Sequence, residues 1–167
     1  MKSKKGVIIT AGILIAITIA SFSVWVVNNP TSTEMTIVVT DFESHLDGID
    51  ARHQIITNAI DTSLLKMIDG NLSPEKLISE AEISSSQINS QIIELVESDA
   101  PDEWQKSYLN YLESLRSSNS YIREIIIVAN SQIEDLDNDE IDAMLKKIKN
   151  LQDESIKYAE FSLQSRP

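Results

Sequence analysis

From Phe42 onward the core-type residues of this chain recur in alternating steps of four and three. Phe42, Leu46, Ile49, His53, Ile56, Ile60, Ser63 and Met67 form one seam, with a histidine and a serine in two of its places. Such steps keep side chains on one face of a helix, and their average of about 3.5 residues is the repeat of helices packed side by side. Three further segments keep the period: Ile78, Ala81, Ser85, Ile88, Ile92 and Leu95; then Trp104, Tyr108, Tyr111, Leu115, Asn119, Ile122, Ile126, Ala129 and Ile133; then Ile141, Met144, Leu145, Ile148, Leu151, Tyr158 and Ala159. Only four of the 167 residues are glycine, and no stretch shows the two-residue alternation of a strand. The pattern predicts an all-α chain.

Helix ends follow from local chemistry. The first of the four helices has two candidate starts, since Thr31 with Glu34 and Thr40 with Glu43 both have capping-box spacing; the second leads directly into the seam. Gly70-Asn71 ends that helix, and Ser73-Pro74-Glu75 supplies a capping hydroxyl, a ring with preset φ and an acid for the next. The third begins near Asp99-Ala100-Pro101 and the fourth near Asp137, with Glu140 three residues on. Connections this short join antiparallel neighbours, so residues 41–167 are expected to form an up-down-up-down four-helix bundle. Residues 28–40, interrupted by Pro30, read as a stalk or the start of the first helix.

Ahead of the bundle, Gly6 to Val27 is apolar throughout and follows Lys2, Lys4 and Lys5. About 22 residues at helical rise span roughly 33 Å, enough for a bilayer core. A cleaved signal is the competing reading, with Thr18-Ile19-Ala20 as its site, but the run continues through Phe22, Val24, Trp25, Val26 and Val27. We read residues 6–27 as a single-pass transmembrane anchor, with residues 1–5 cytoplasmic by the lysine asymmetry and the bundle extracytoplasmic. Gly12, Ala16 and Ala20 recur every four residues, the spacing that lets two membrane helices approach, and mark a candidate membrane-helix contact.

Of 14 basic residues, the three lysines ahead of the anchor leave 11 against 26 acidic ones, a balance near −15 for the rest. That surface repels nucleic acid and anionic headgroups and suits cation-rich partners. No cysteine is present, which removes disulfides and thiolate metal sites. Asn71-Leu72-Ser73 is a glycosylation sequon in a turn, a sequence short enough to arise by chance. Asp135-Leu136-Asp137-Asn138-Asp139 opens like a calcium loop, but Glu140 and Lys146 stand where glycine and a closing glutamate belong, so capping and solvation explain the acids. His45 and His53 share one helix and the other three carry no histidine; a carboxylate-bridged metal pair needs both helices, so no metal or cofactor is expected and His53 reads as a polar seam residue. No nucleophilic triad or phosphate loop can be assembled, and catalysis is not expected.

Trp104, Tyr108 and Tyr111 open the third helix while Tyr158 and Phe161 close the fourth, so antiparallel pairing groups them at one end. They are a candidate ligand pocket, and equally an ordinary aromatic core. Ile125-Ile126-Ile127-Val128-Ala129 wraps most of a turn, marking either a second contact surface or a buried central helix.

Two resemblances bear on architecture. Ala100-Pro101-Asp102-Glu103-Trp104, Tyr111-Leu112-Glu113-Ser114-Leu115 and Asp137-Asn138-Asp139 resemble small exported prokaryotic helical-bundle proteins of unknown function, which implies a bundle and no particular site. An anchor followed by four helices is similar to the sensor module of chemoreceptors and sensor kinases, but the second span of those proteins is missing here. Lys4-Lys5-Gly6 resembles a prepilin cleavage site, although Thr10 and Ala11 stand where the usual glutamate would be. The leading expectation is an interaction module or subunit of a surface complex, through a protein partner or self-association. The alternative is a ligand-binding sensor that signals through a separate membrane partner; a filament subunit is a lesser one.

Overall fold

A computed structural model describes residues 39–133 and 138–167, all within one unit, Ile37–Pro167. The apolar segment, the Thr31 start, residues 28–38, Gly12, Ala16 and Ala20, and Glu134 to Asp137 of the acidic turn lie outside the described residues. Four helices follow one another: α1 Phe42–Ile68, α2 Pro74–Glu97, α3 Asp102–Ile133 and α4 Asn138–Gln164. Among the described residues there is no strand, and no helix is long and apolar enough to cross a membrane.

Capping chemistry sets the ends. Asp41, one residue after the expected Thr40, caps α1 by accepting from the Ser44 backbone N–H at 3.0 Å and the Ser44 hydroxyl at 2.7 Å. Those hydrogen bonds hold the Asp41 carboxyl below its usual range. A carboxylate accepts more strongly than a hydroxyl at the positive helix end, which explains the shift by one residue. At the other end Gly70 has φ 73°, its N–H bonds Met67 O at 2.9 Å, and Asn71 N–H bonds Lys66 O at 2.7 Å. This is a Schellman cap, and glycine serves it without a Cβ penalty. Ser73 caps α2 with Pro74 in its first turn, and Asp99, at φ 48°, makes the turn into α3.

Partner residues give the directions. His45 and Arg52 meet Glu94 while Ser63 meets Glu80, so α1 and α2 are antiparallel. His45 meets Tyr108 and His53 meets Ser118, so α1 and α3 are parallel. Ser107 pairs with Ser162 and Ser114 with Ser155, so α4 runs against α3. The up-down-up-down order of the helices is as the short connections imply.

The core lies where Leu46, Ile49 and Ile60 of α1 meet Leu77, Ala81 and Ile88 of α2 and Leu115, Ile122 and Ile125 of α3. In α2 the buried line includes Leu77, Ser84 and Gln91, while Ile78, Ser85 and Ile92 of the expected seam are half-buried beside it. α3 is central, packed against all three other helices. That position answers the question of Ile125–Ala129: Ile125, Val128 and Ala129 are buried, Ile126 is half-buried, and Ile127 is 46% exposed. The bundle is not closed all round, because α1 and α4 have no Cα atoms within 8 Å of each other.

Candidate functional site

The gap between α1 and α4 follows from residue type. Beside the apolar seam, α1 carries a polar line, Asp47, Asp50, Gln54, Asn58 and Asp61, which burial against another helix would desolvate. Two clamps span the gap: Gln152 Nε2 donates to Asp61 Oδ1 at 2.7 Å, and Arg166 Nη2 pairs with Asp47 Oδ1 at 2.7 Å. A cleft of about 700 Å³ lies along this gap, with Tyr111, Ser114, Ser118 and Tyr121 of α3 among the residues that line it. On its far side, α3 and α4 approach through Ser107, Ser114 and Ser118 against Ser155 and Ser162, small side chains whose hydroxyls bond one another and facing carbonyls.

A directed hydrogen-bond chain supports the cleft floor. Tyr111 donates its single hydroxyl hydrogen to Asp50 Oδ1 at 2.7 Å, so the 2.9 Å contact from His53 Nδ1 must be a donation from the ring. Burial pushes His53 down to about 4, outweighing the opposing pull of Asp50, and the ring is neutral near pH 7. Its Nε2 therefore accepts from Ser118 Oγ at 2.7 Å. Ser155 Oγ, 2.7 Å from Ser118 Oγ, supplies the next hydrogen, shares it with the Ser114 carbonyl at 3.0 Å, and lies 3.0 Å from Ser114 Oγ. Serine, histidine, tyrosine and aspartate thus follow one another in a single donor direction that ends on Asp50. The chain fixes the orientation of each member, with the Asp50 carboxylate at its end.

Three groups in the cleft are of note: Arg166, whose buried Nε has no hydrogen-bond partner, Tyr121 and Asp61. Tyr121 is 2% exposed and its hydroxyl oxygen has no hydrogen-bond partner. Thr57 is within reach of it: the Thr57 hydroxyl donates to the carbonyls of His53 and Gln54 and keeps a lone pair for the phenol hydrogen. Burial, and the nearby Asp61 charge, hold the Tyr121 phenol in its protonated form. Asp61 is half-buried, and burial raises its carboxyl above the usual range despite the hydrogen bond from Gln152. A buried N–H without an acceptor and a desolvated carboxylate both cost stability.

The five aromatic candidates do not gather in one place. Trp104 and Tyr108 pack edge to face at 6.3 Å, with Phe42 at 6.5 and 5.9 Å from them. Tyr158 and Phe161 pair with each other at 6.4 Å, and Lys157 Nζ lies 5.5 Å above the Phe161 ring. Tyr111 stands edge to face with His53 at 5.8 Å and alone of the five lines the cleft. Sequence reasoning missed Asp50, Asp61, Tyr121 and the serines. The signal for Asp50 and Asp61 is the polar line beside the α1 seam, matched by Gln152 and Asp153 on α4. Among the described residues no three histidine or acidic side chains are grouped to share a metal ion.

No protein-family model matches the chain, and no curated protein or solved structure is significantly similar to it.

Proposed function

We propose that this protein is a membrane-tethered, extracytoplasmic helical bundle that binds a small ligand in the α1–α4 cleft without transforming it, and passes occupancy inward through a separate membrane partner. The apolar stretch Gly6–Val27 behind Lys2, Lys4 and Lys5 supports the tether and its orientation. One observation carries the binding reading: a cleft of about 700 Å³ separates α1 and α4 and is lined by polar side chains, among them Arg166, whose buried Nε has no hydrogen-bond partner. A ligand between α1 and α4 would bridge two helices that otherwise meet only through polar clamps, and α1 is the helix that follows the apolar stretch in the chain.

Thermal-shift titration of the full chain in detergent, against a panel of small organic cations, anions and neutral polar compounds, tests this. At least one class raises the melting temperature, and Ile156→Trp, which fills the cleft from an exposed position on α4, abolishes the rise. A panel that moves neither protein overturns the reading. A second reading, an interaction module in a surface complex, draws on the shallow groove between α1 and α2 beside Ile55, which is 69% exposed, and on the exposed Ile93 and Val96 of α2.

A further inference from the structure

We infer that two copies of this chain pair through the outer face of α2, antiparallel, about a two-fold axis at the level of Ile88. This gives the interaction-module reading its partner and uses no residue that lines the α1–α4 cleft, so the ligand-binding reading stands or falls separately.

Two stripes run along α2. Its buried line is Leu77, Ala81, Ser84, Ile88, Gln91 and Leu95. Two residues on, and so turned about 200° around the helix, Ser79, Ile83, Ser86, Ser90, Ile93 and Glu97 repeat the same alternation of fours and threes. All six are exposed, Ile83 by 57% and Ile93 by 55%. A merely solvated face needs no isoleucines at seam spacing. The apolar area widens on both flanks, through the exposed Val96 and through Ile55 of α1, which shares the shallow α1–α2 groove with Gln87 and Ser90.

Charge limits what can cover this face. From Ile83 to Ile93 eleven residues pass without a charge, in a chain with 26 acidic residues against 14 basic ones. Two such chains repel each other over most of their surfaces, and approach is least opposed where a face is uncharged. Acids at its α1 edge are already matched: Glu94 receives Arg52 at 2.8 Å, and Glu80 has Lys76 at 3.5 Å. Beyond the uncharged run, the antiparallel register sets Lys76 of one copy beside Glu97 and Asp99 of the other, twice over.

Symmetry selects a second copy as the occupant. Read from either end, the middle of the stripe is isoleucine, serine, serine, isoleucine, with steps of three, four and three. An isologous contact requires such a palindrome, because each of its pairs occurs twice. Ile83 then meets Ile93 of the second copy, and Ser86 meets Ser90. Small serines at the centre let the two helices approach closely. Gln87, beside the axis, meets its own counterpart, and a carboxamide carries the donor and the acceptor that such a pair needs.

The test uses the full chain in detergent. Sedimentation equilibrium should show a reversible dimer at micromolar protein. Ile93→Glu should raise its dissociation constant at least tenfold, whereas Leu109→Glu, at an exposed apolar position of α3, should leave it unchanged. The chain lacks cysteine, so placed thiols report the register. A short bismaleimide should couple Ile83→Cys protein to Ile93→Cys protein in a mixture, and Gln87→Cys protein to itself. Neither Ile83→Cys nor Ile93→Cys should couple to itself, since each lies about 15 Å along the axis from its own counterpart. Circular dichroism checks that Ile93→Glu keeps its helices; if it does not, the coupling pattern decides alone. A monomer at every concentration up to about 100 μM overturns the inference. So does a dimer that a folded Ile93→Glu leaves intact, or self-coupling of Ile83→Cys, since either places the contact elsewhere or in another register.

Discussion

His45 and His53 lie two turns apart on α1, and each has Nδ1 2.9 Å from a tyrosine hydroxyl of α3, yet the two rings meet opposite kinds of second partner. Nε2 of His45 faces Glu94 at 3.2 Å, and that carboxylate is held by two 2.8 Å bonds from Arg52, itself half exposed. Nε2 of His53 faces the Ser118 hydroxyl, and the residue is 6% exposed. The first ring must present a hydrogen at Nε2; the second must present a lone pair. What decides is the partner's capacity to donate and how much water remains, not the helix or the tyrosine. The His45 network ties α1 and α2 together at the rim, and the His53 network is part of the cleft floor.

The largest expected effect comes from emptying the inner site. His53→Ala strands the Ser118 hydrogen and a Tyr111 lone pair in a dry environment and leaves a cavity, at a cost of roughly 3 to 5 kcal/mol. His45→Ala, at a partly solvated rim, should cost about 1 kcal/mol. Urea unfolding of the two variants compares them directly, and equal midpoint shifts would dissolve the distinction between the networks.

Acid sharpens the contrast next. Unfolded His53 takes its proton near 6.5, but the folded ring waits until about 4. Between those values the unfolded state binds more protons. The contribution of the neutral ring is therefore complete above about pH 6.5, falls as pH drops toward 4 by roughly 3 kcal/mol, and changes no further below that. His53→Gln keeps a donor and an acceptor but cannot titrate, so its stability profile should lack this slope. A slope that persists in His53→Gln would assign the acid sensitivity to other groups. Glu80, held below its usual range chiefly by the Ser63 hydroxyl, loses its own stabilisation only as pH falls below about 4.5, which keeps the two windows largely separate.

The seam residues made the helices legible because burial of one apolar face has a period that survives in any helix. Leu46, Ile49, His53 and Ile60 are buried where the spacing puts them, and Gly70 and Ser73 mark their helix ends for local steric and capping reasons. The cleft was not legible in the same way. It depends on α1 and α4 standing apart, and a four-helix pattern by itself implies that first and last helices close on each other. The aromatic residues misled for a related reason: their shared end of the bundle follows from topology, but ring contacts depend on which face each turns. Tyr108 faces Phe42 and His45, whereas Tyr158 turns to Phe161. Serines at Ser114, Ser118 and Ser155 carry no apolar signal at all, although they set how closely α3 and α4 pack. Asp50, Gln54 and Asp61 were visible only as polar residues beside a seam, the ordinary composition of a solvated face.

The smallest expected effect tests the outer network. Glu94→Gln removes the charge that faces His45 and receives both bonds from Arg52 Nη2, while keeping one acceptor oxygen. Arg52 is half exposed and Glu94 is 29% exposed, so solvent screens the pair and the side chains lose rotamer freedom in making it. A loss under about 1 kcal/mol is expected, shrinking further as salt is raised. The same salt increase should leave the destabilisation by His53→Ala unchanged, since no exposed ion pair contributes there. Chemical unfolding of Glu94→Gln and His53→Ala at low and high salt makes the comparison, and a salt-insensitive loss in Glu94→Gln would place Glu94 with the buried network instead of the rim.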